Sequence, residues 1–244
     1  MLIFLLLFAL TLALTLYGRG KYRTIYDEEI KNLSPSGLTG ERLARQILEA
    51  SGIHDVEVVK SGGFFGGLFA DFYDPENKRL SLAPQHFEAS TYSALGIAAH
   101  EAGHAIQQQQ GYHPLRWRIS AVKASMFLTL PLVIIGSLMV VMPAMGKSGV
   151  FFLIMSWTVL SAYNLGTMPI ELDASERSKK VLRKIKPFAN YDERVGVEKM
   201  MRVAPAAYIE GFFTTLSWLG SLIMPHLSGG DSGKEHSSKD TKDK

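Results

Sequence analysis

Two uncharged apolar blocks constrain this chain more than anything else in it. Ala124 to Met145 contains MFLTLPLVIIGSLMVVMPAM, and Val150 to Ile170 contains VFFLIMSWTVLSAYNLGTMPI. Each is about the 20 residues that an α-helix needs to cross the hydrocarbon core of a bilayer. Only Gly146-Lys147-Ser148-Gly149 lies between them, so the two blocks predict a helical hairpin with its turn at those four residues. A third block, Leu2 to Tyr17 (LIFLLLFALTLALTLY), precedes Arg19, Lys21 and Arg23. A cleaved leader carries its basic residues before the apolar run and a small-residue site after it. Here the order is reversed, which predicts an uncleaved anchor, with a cleaved leader as the lesser alternative. A fourth stretch, Ala206 to Met224, contains Glu210 and reads either as a span or as an interfacial amphipathic helix.

Charge orients these segments. Arg116, Arg118 and Lys123 precede the block that starts at Ala124, and nine Lys and Arg residues from Arg177 to Arg202 follow the block that ends at Ile170, whereas the hairpin turn offers Lys147 alone. Basic flanks face the cytoplasm, so the segment before Ala124 and the segment from Glu171 onward are expected on the same, cytoplasmic side of a cell membrane. A formal net charge of +3 is too small to call for nucleic acid, and the basic residues cluster beside apolar blocks instead. The expected partners are a lipid bilayer and a protein or peptide substrate; nothing fixes the oligomeric state. With no cysteine, disulfides and thiolate metal sites are excluded, and any metal must be held by His and carboxylate.

The polar stretch before the hairpin is short. Leu43, Ala44, Ile47 and Leu48 recur at helical spacing, and Gly52 ends that helix. Asp55-Val56-Glu57-Val58 alternates as a strand does, and Asp71 to Asp74 and Lys78 to Leu82 read as two strands around an Asp74-Pro75-Glu76-Asn77 turn. Gly62 to Gly67 (GGFFGG) reads as a loop, and the Ser-, Gly- and Lys-rich tail after Leu227 as disordered.

Between these lies His100-Glu101-Ala102-Gly103-His104, inside an alanine-rich helical stretch that Ser90 or Thr91 can cap and Gly111 can end. Two histidines at i and i+4 share one helix face at the spacing that holds one Zn²⁺, and the intervening Glu101 is placed to take a proton from water as the general base. A catalytic zinc has three protein ligands and an open position. The third must return to this helix from elsewhere, and the sequence Met168-Pro169-Ile170-Glu171-Leu172-Asp173-Ala174-Ser175 offers Glu171 and Asp173. Spacing alone does not separate them. His86, His113, Arg116 and Tyr163 are candidate donors to an oxyanion. The Gln107 to Gln110 run reads as the polar end of the motif helix.

Taken together, Asp71-Phe72-Tyr73-Asp74-Pro75, Leu80-Ser81-Leu82-Ala83-Pro84, the HExxH helix with its exit through Gly111-Tyr112 and Pro114-Leu115, and Pro169-Ile170-Glu171-Leu172-Asp173-Ala174-Ser175 resemble the YugP-like membrane zinc metallopeptidases of bacteria. The resemblance runs from about Tyr22 to Met224. It implies a zinc endopeptidase with His100, His104 and Glu171 as ligands, one Zn²⁺ per chain, Glu101 as general base and Asp173 behind the ligands, acting in membrane protein quality control. The chain departs from that family at Leu172, where Phe is favoured, in the GGFFGG loop and in the tail; these bear on substrate preference, not on the ligands.

The expected architecture is mostly α: a multi-pass membrane protein with a zincin-like HExxH helix and a small strand element on the cytoplasmic side. Its parts are an anchor (1–18), a cytoplasmic metalloprotease segment (19–123), a transmembrane hairpin (124–170), a cytoplasmic helical segment with the third ligand (171–205), a fourth transmembrane or interfacial helix (206–226) and a tail (227–244). Two other accounts are a zinc-binding membrane scaffold or regulator without turnover, which would have little use for Glu101, and a small transporter, which would carry ionisable residues within its spans.

Overall fold

The computed structural model describes residues 2–62, 71–142 and 144–206. Most of the GGFFGG loop, the fourth apolar stretch beyond Ala206 and the tail therefore lie outside the described residues. The described chain is mostly helical with one small sheet. In order, the elements are α1 (Leu2–Glu29), α2 (Gly40–Ala50), β1 (Glu57–Lys60), β2 (Phe72–Asp74), β3 (Arg79–Leu82), α3 (Pro84–Phe87), α4 (Tyr92–Gln109), α5 (His113–Val141), α6 (Gly146–Ile185) and α7 (Tyr191–Val203), closed by a 3₁₀ turn at Ala204–Ala206.

Helix α4 is the core. Every residue from Ser93 to Gln107 is buried, the signature of a helix enclosed on all sides. It starts at Thr91, whose side chain accepts a hydrogen bond from the Ala94 amide at 3.3 Å. It stops at Gly111, where φ is +64° and the Gly111 and Tyr112 amides donate to the carbonyls of Gln108 (3.0 Å) and Gln107 (2.9 Å). That is the paired closure which a left-handed residue makes possible. Around α4 pack Leu43, Ala44, Ile47 and Leu48 of α2, Leu80 and Leu82 of β3, Val197 and Met201 of α7, and Leu182 of α6.

The sheet has the order β1-β3-β2, with β1 parallel and β2 antiparallel to β3. The β2–β3 turn is the expected one: Asp74 Oδ1 accepts from the amides of Glu76 (2.9 Å) and Asn77 (3.2 Å). Strand β1 begins two residues later than the alternation at Asp55 suggests. The Glu57 amide donates to Lys78 O at 2.9 Å and the Ser61 amide to Leu82 O at 2.7 Å, so pairing with β3 sets the strand's ends.

The apolar hairpin also differs in detail. Gly146 to Gly149 do not form its turn; they are the first turn of α6, because the Gly149 amide donates to Met145 O at 3.0 Å. The reversal lies between the end of α5 at Val141 and the start of α6 at Gly146. Helix α6 then runs unbroken through Pro169 to Ile185, so Glu171 sits within a continuous helix. Ser156 Oγ donates across the hairpin to Thr129 O at 3.3 Å, and Thr158 Oγ1 to Ile154 O at 2.8 Å. Among the described residues only α6 is long and apolar enough to cross a membrane; the apolar part of α5, Phe127–Val140, is shorter. Among the described residues, length and composition thus support one candidate span and not the several expected.

Helices α4 and α6 touch at Gly103. A Cβ there would lie 2.2 Å from Ala174 O and 3.0 Å from Ser178 Oγ, so no side chain fits without separating the backbones. Gly103→Ala should destabilise the protein by on the order of 1–3 kcal/mol, as overpacking does. Gly20→Ala, on α1 with nothing within 4 Å of its Cβ position, should be neutral or stabilising, since alanine is the better helix former. Thermal unfolding of both variants in detergent checks this; equal melting temperatures would contradict the tight crossing.

Candidate metal centre

Because α4 is buried, both motif histidines are too. Their rings are edge-on, with centroids 5.0 Å apart. At the α4–α6 crossing, the small residues Gly103, Ala174 and Ser175 let α6 approach closely enough for Glu171 to reach them. Glu171 Oε2 lies 3.2 Å from His100 Nε2 and 3.1 Å from His104 Nε2. One ligand atom from each of the three residues falls within 4.8 Å of the others.

The partners on the far side of each ring decide which nitrogen carries the proton. Gln107 Nε2 donates to Ile170 O and to Asp173 Oδ2, both at 2.8 Å, so Gln107 Oε1 is the acceptor that faces His104 Nδ1 at 2.9 Å. His104 Nδ1 is then the donor. Ser175 Oγ donates its single hydrogen to Met201 O at 2.8 Å and so accepts from His100 Nδ1 at 2.9 Å. In the neutral rings this leaves both Nε2 atoms as lone pairs, aimed at a carboxylate oxygen. Three electron-pair donors converge with no proton among them. Either both rings carry a second proton, which places two cations side by side in a buried site, or one cation sits between the three groups. Two imidazole nitrogens and one carboxylate are a donor set that suits zinc, and each ring is held from behind as metal-binding histidines are.

Glu101 is buried beside His100, and that burial pushes its carboxyl up to about 7. A group in that range can both take and release a proton near neutral pH. The other oxygen of Glu171, Oε1, is paired with the Arg118 guanidinium of α5. Asp173 does not reach the histidines. It accepts from Gln107 and from Arg177 Nε at 2.6 Å, and so stands behind His104 through Gln107.

The four candidate oxyanion donors are scattered. His113 and Arg116 are exposed and meet each other at 3.1 Å. Tyr163 donates its hydroxyl to Arg118 O at 3.2 Å. His86 is buried between Asp71 Oδ2 (2.7 Å) and Tyr26 Oη (2.9 Å). Three residues of the site escaped the sequence reading. Gln107 lies three positions after His104 and Ser175 four after Glu171, spacings that share a helix face and were there to be used. Arg118 has no such local signal, since only the tertiary fold brings it to Glu171.

Comparison with known proteins points to the same metal. The chain is 29% identical over 231 residues to "Putative membrane protease YugP" of Bacillus subtilis (strain 168), covering 94% of this chain and 99% of that protein. No solved structure matches it. Residues 3–226 match one family's model over nearly the whole chain, which therefore belongs to the family described as "Putative neutral zinc metallopeptidase".

Proposed function

We propose that this protein is a membrane-bound zinc endopeptidase, with His100, His104 and Glu171 holding one Zn²⁺ and Glu101 as general base. The observation that carries the proposal is the convergence of both Nε2 lone pairs and Glu171 Oε2 at 3.1–3.2 Å. When bound, zinc supplies a Lewis acid that polarises a peptide carbonyl and acidifies water. His100 and His104 present neutral nitrogens because Ser175 and Gln107 accept their Nδ1 protons. Glu101 takes the proton of the attacking water and passes it to the departing amine. The burial of α4 keeps bulk water from this carboxylate, which strengthens its electrostatic reach. Glu101 also favours an enzyme over a zinc-binding scaffold, which has no use for a base at that position.

The membrane arrangement is part of the same proposal. Leu6, Leu10 and Leu14 of α1, Phe127, Ile134 and Leu138 of α5, and Val150 and Phe151 of α6 all project large apolar side chains outward. A surface of this kind on three helices favours lipid contact. Thr11, Thr15, Ser156 and Thr158 on these helices bond to backbone carbonyls, as Thr15 Oγ1 does to Thr11 O at 2.6 Å, which suits a solvent without water. On this reading 1–18 is an anchor, the 124–170 region a membrane hairpin and 206–226 a fourth membrane segment. Residues 19–123 and 171–205 then lie in the cytoplasm, in reach of segments of membrane proteins that need removal.

Four measurements test the proposal. Purified protein should hold about one zinc per chain, and His100→Ala or His104→Ala should lose most of it; full occupancy in either variant would remove the site. Glu101→Gln should keep zinc and lose casein cleavage by ~10²–10⁴-fold, and a fully active variant would exclude Glu101 as base. Glu171→Gln should weaken zinc binding outright, while Asp173→Asn and Gln107→Leu should each cost about 10–100-fold in affinity or activity. If Asp173→Asn abolished binding and Glu171→Gln preserved it, the third ligand would be Asp173. For topology, a reporter inserted after Met145 should read out as external, because Lys147 is the only basic residue near that end. A cytoplasmic readout would overturn the orientation.

A further inference from the structure

The carboxylate of Glu171 divides its two oxygens between different partners. Oε2 faces the two histidine nitrogens at 3.2 and 3.1 Å, and Oε1 is paired with Arg118 Nε. Arg118 comes from α5, the helix before the one that carries Glu171, so the pairing joins two helices. The two side chains are largely enclosed, with the Arg118 side chain 13% and the Glu171 side chain 5% exposed. The Arg118 backbone carbonyl is itself held by the Tyr163 hydroxyl at 3.2 Å, which ties this stretch of α5 to α6 next to Glu171. A charge-assisted bond from a planar guanidinium fixes a carboxylate in direction as well as in place.

We infer that Arg118 is a positioning residue which restrains Glu171 to bind metal through one oxygen only. Occupied by arginine, Oε1 cannot turn toward the centre, and Oε2 remains the sole carboxylate donor. The chain would then offer a metal three protein ligand atoms and would leave room for water or a peptide carbonyl, as a catalytic zinc requires. Without Arg118, Glu171 is free to swing both oxygens inward and raise the coordination number. The inference rests on the zinc-site reading above, and it concerns how Glu171 binds, not whether it does.

Cobalt substitution reads this directly, because the visible absorption of Co²⁺ is strong in four-coordinate sites and weak in sites of higher coordination. The full-length protein in detergent, loaded with Co²⁺, should absorb with four-coordinate intensity. Arg118→Met should lower that intensity several-fold and weaken zinc affinity, measured by chelator competition, by about 10–100-fold. Arg118→Lys keeps a cation that can bond Oε1 and should restore the intensity and most of the affinity. It also serves as the test if the Met variant does not fold. Unchanged cobalt absorption and zinc affinity in Arg118→Met would overturn the inference, as would an Arg118→Lys spectrum of higher coordination. A different result would strike the underlying reading: wild-type protein that binds neither metal, or binding untouched by His104→Ala, would remove the zinc site itself.

Discussion

The contact between Gly103 of α4 and the Ala174 carbonyl of α6 is the constraint on which the rest of this structure depends. A carboxylate on one helix can lie about 3 Å from two imidazoles on another only if the backbones nearly touch at the same level. The space for a Cβ at Gly103 is already taken, with Ala174 O 2.2 Å from where that atom would be. Glu171, Ala174, Ser175 and Ser178 lie on one face of α6 at spacings of three and four, and His100, Gly103, His104 and Gln107 do the same on α4. The contact and the site are therefore one feature. The residues that permit the approach alternate with those that use it.

Close approach alone would leave both histidines and Glu171 as costly buried polar groups, and the surroundings answer these three. Gln107 links His104 to Asp173 and to the Ile170 carbonyl. Ser175 links His100 to the Met201 carbonyl of α7. Arg118 answers the outer oxygen of Glu171. Every one of these bonds has a single sensible direction, and the directions agree in leaving lone pairs, not hydrogens, at the centre. A network satisfied in this way is rigid and specific, and it draws on α4, α5, α6 and α7 at once. A pair of histidines that were merely core residues would not need their protons steered away from each other by two separate partners.

Much of this was legible in the sequence, and what was not has physical reasons. The HExxH spacing, the Thr91 cap and the Gly111 stop are local features, and they place α4 correctly. The choice between Glu171 and Asp173 was not local. Two residues apart on a helix, they point about 200° away from each other, and only the face that α6 turns to α4 decides between them. Glu171 meets the histidines and Asp173 meets Gln107 and Arg177. The hairpin turn is not at 146–149, because Gly and Ser signal a turn only when no helix claims their amides, and here the Gly149 amide bonds Met145 O. Arg118 read as one more basic flank of an apolar block. Its neighbours in sequence give no hint that the fold sets it against a carboxylate 53 positions later.

The position of Arg118 and Glu171 says something further about design. Both belong to the helices of the apolar hairpin, Arg118 near the start of α5 and Glu171 past the middle of α6, whereas the histidines and Glu101 belong to the enclosed helix of the polar core. On the proposed reading the metal would bind across the seam between these two parts, with two ligands from one side and the third from the other. Its free energy of binding would then also be a free energy of docking the hairpin onto the core, since whatever binds only the assembled state stabilises that state. The single-residue approach at Gly103 sets the geometry of that seam, and the metal would lock it. Such an arrangement couples the shape of the site to the placement of two helices whose other ends carry bare apolar side chains.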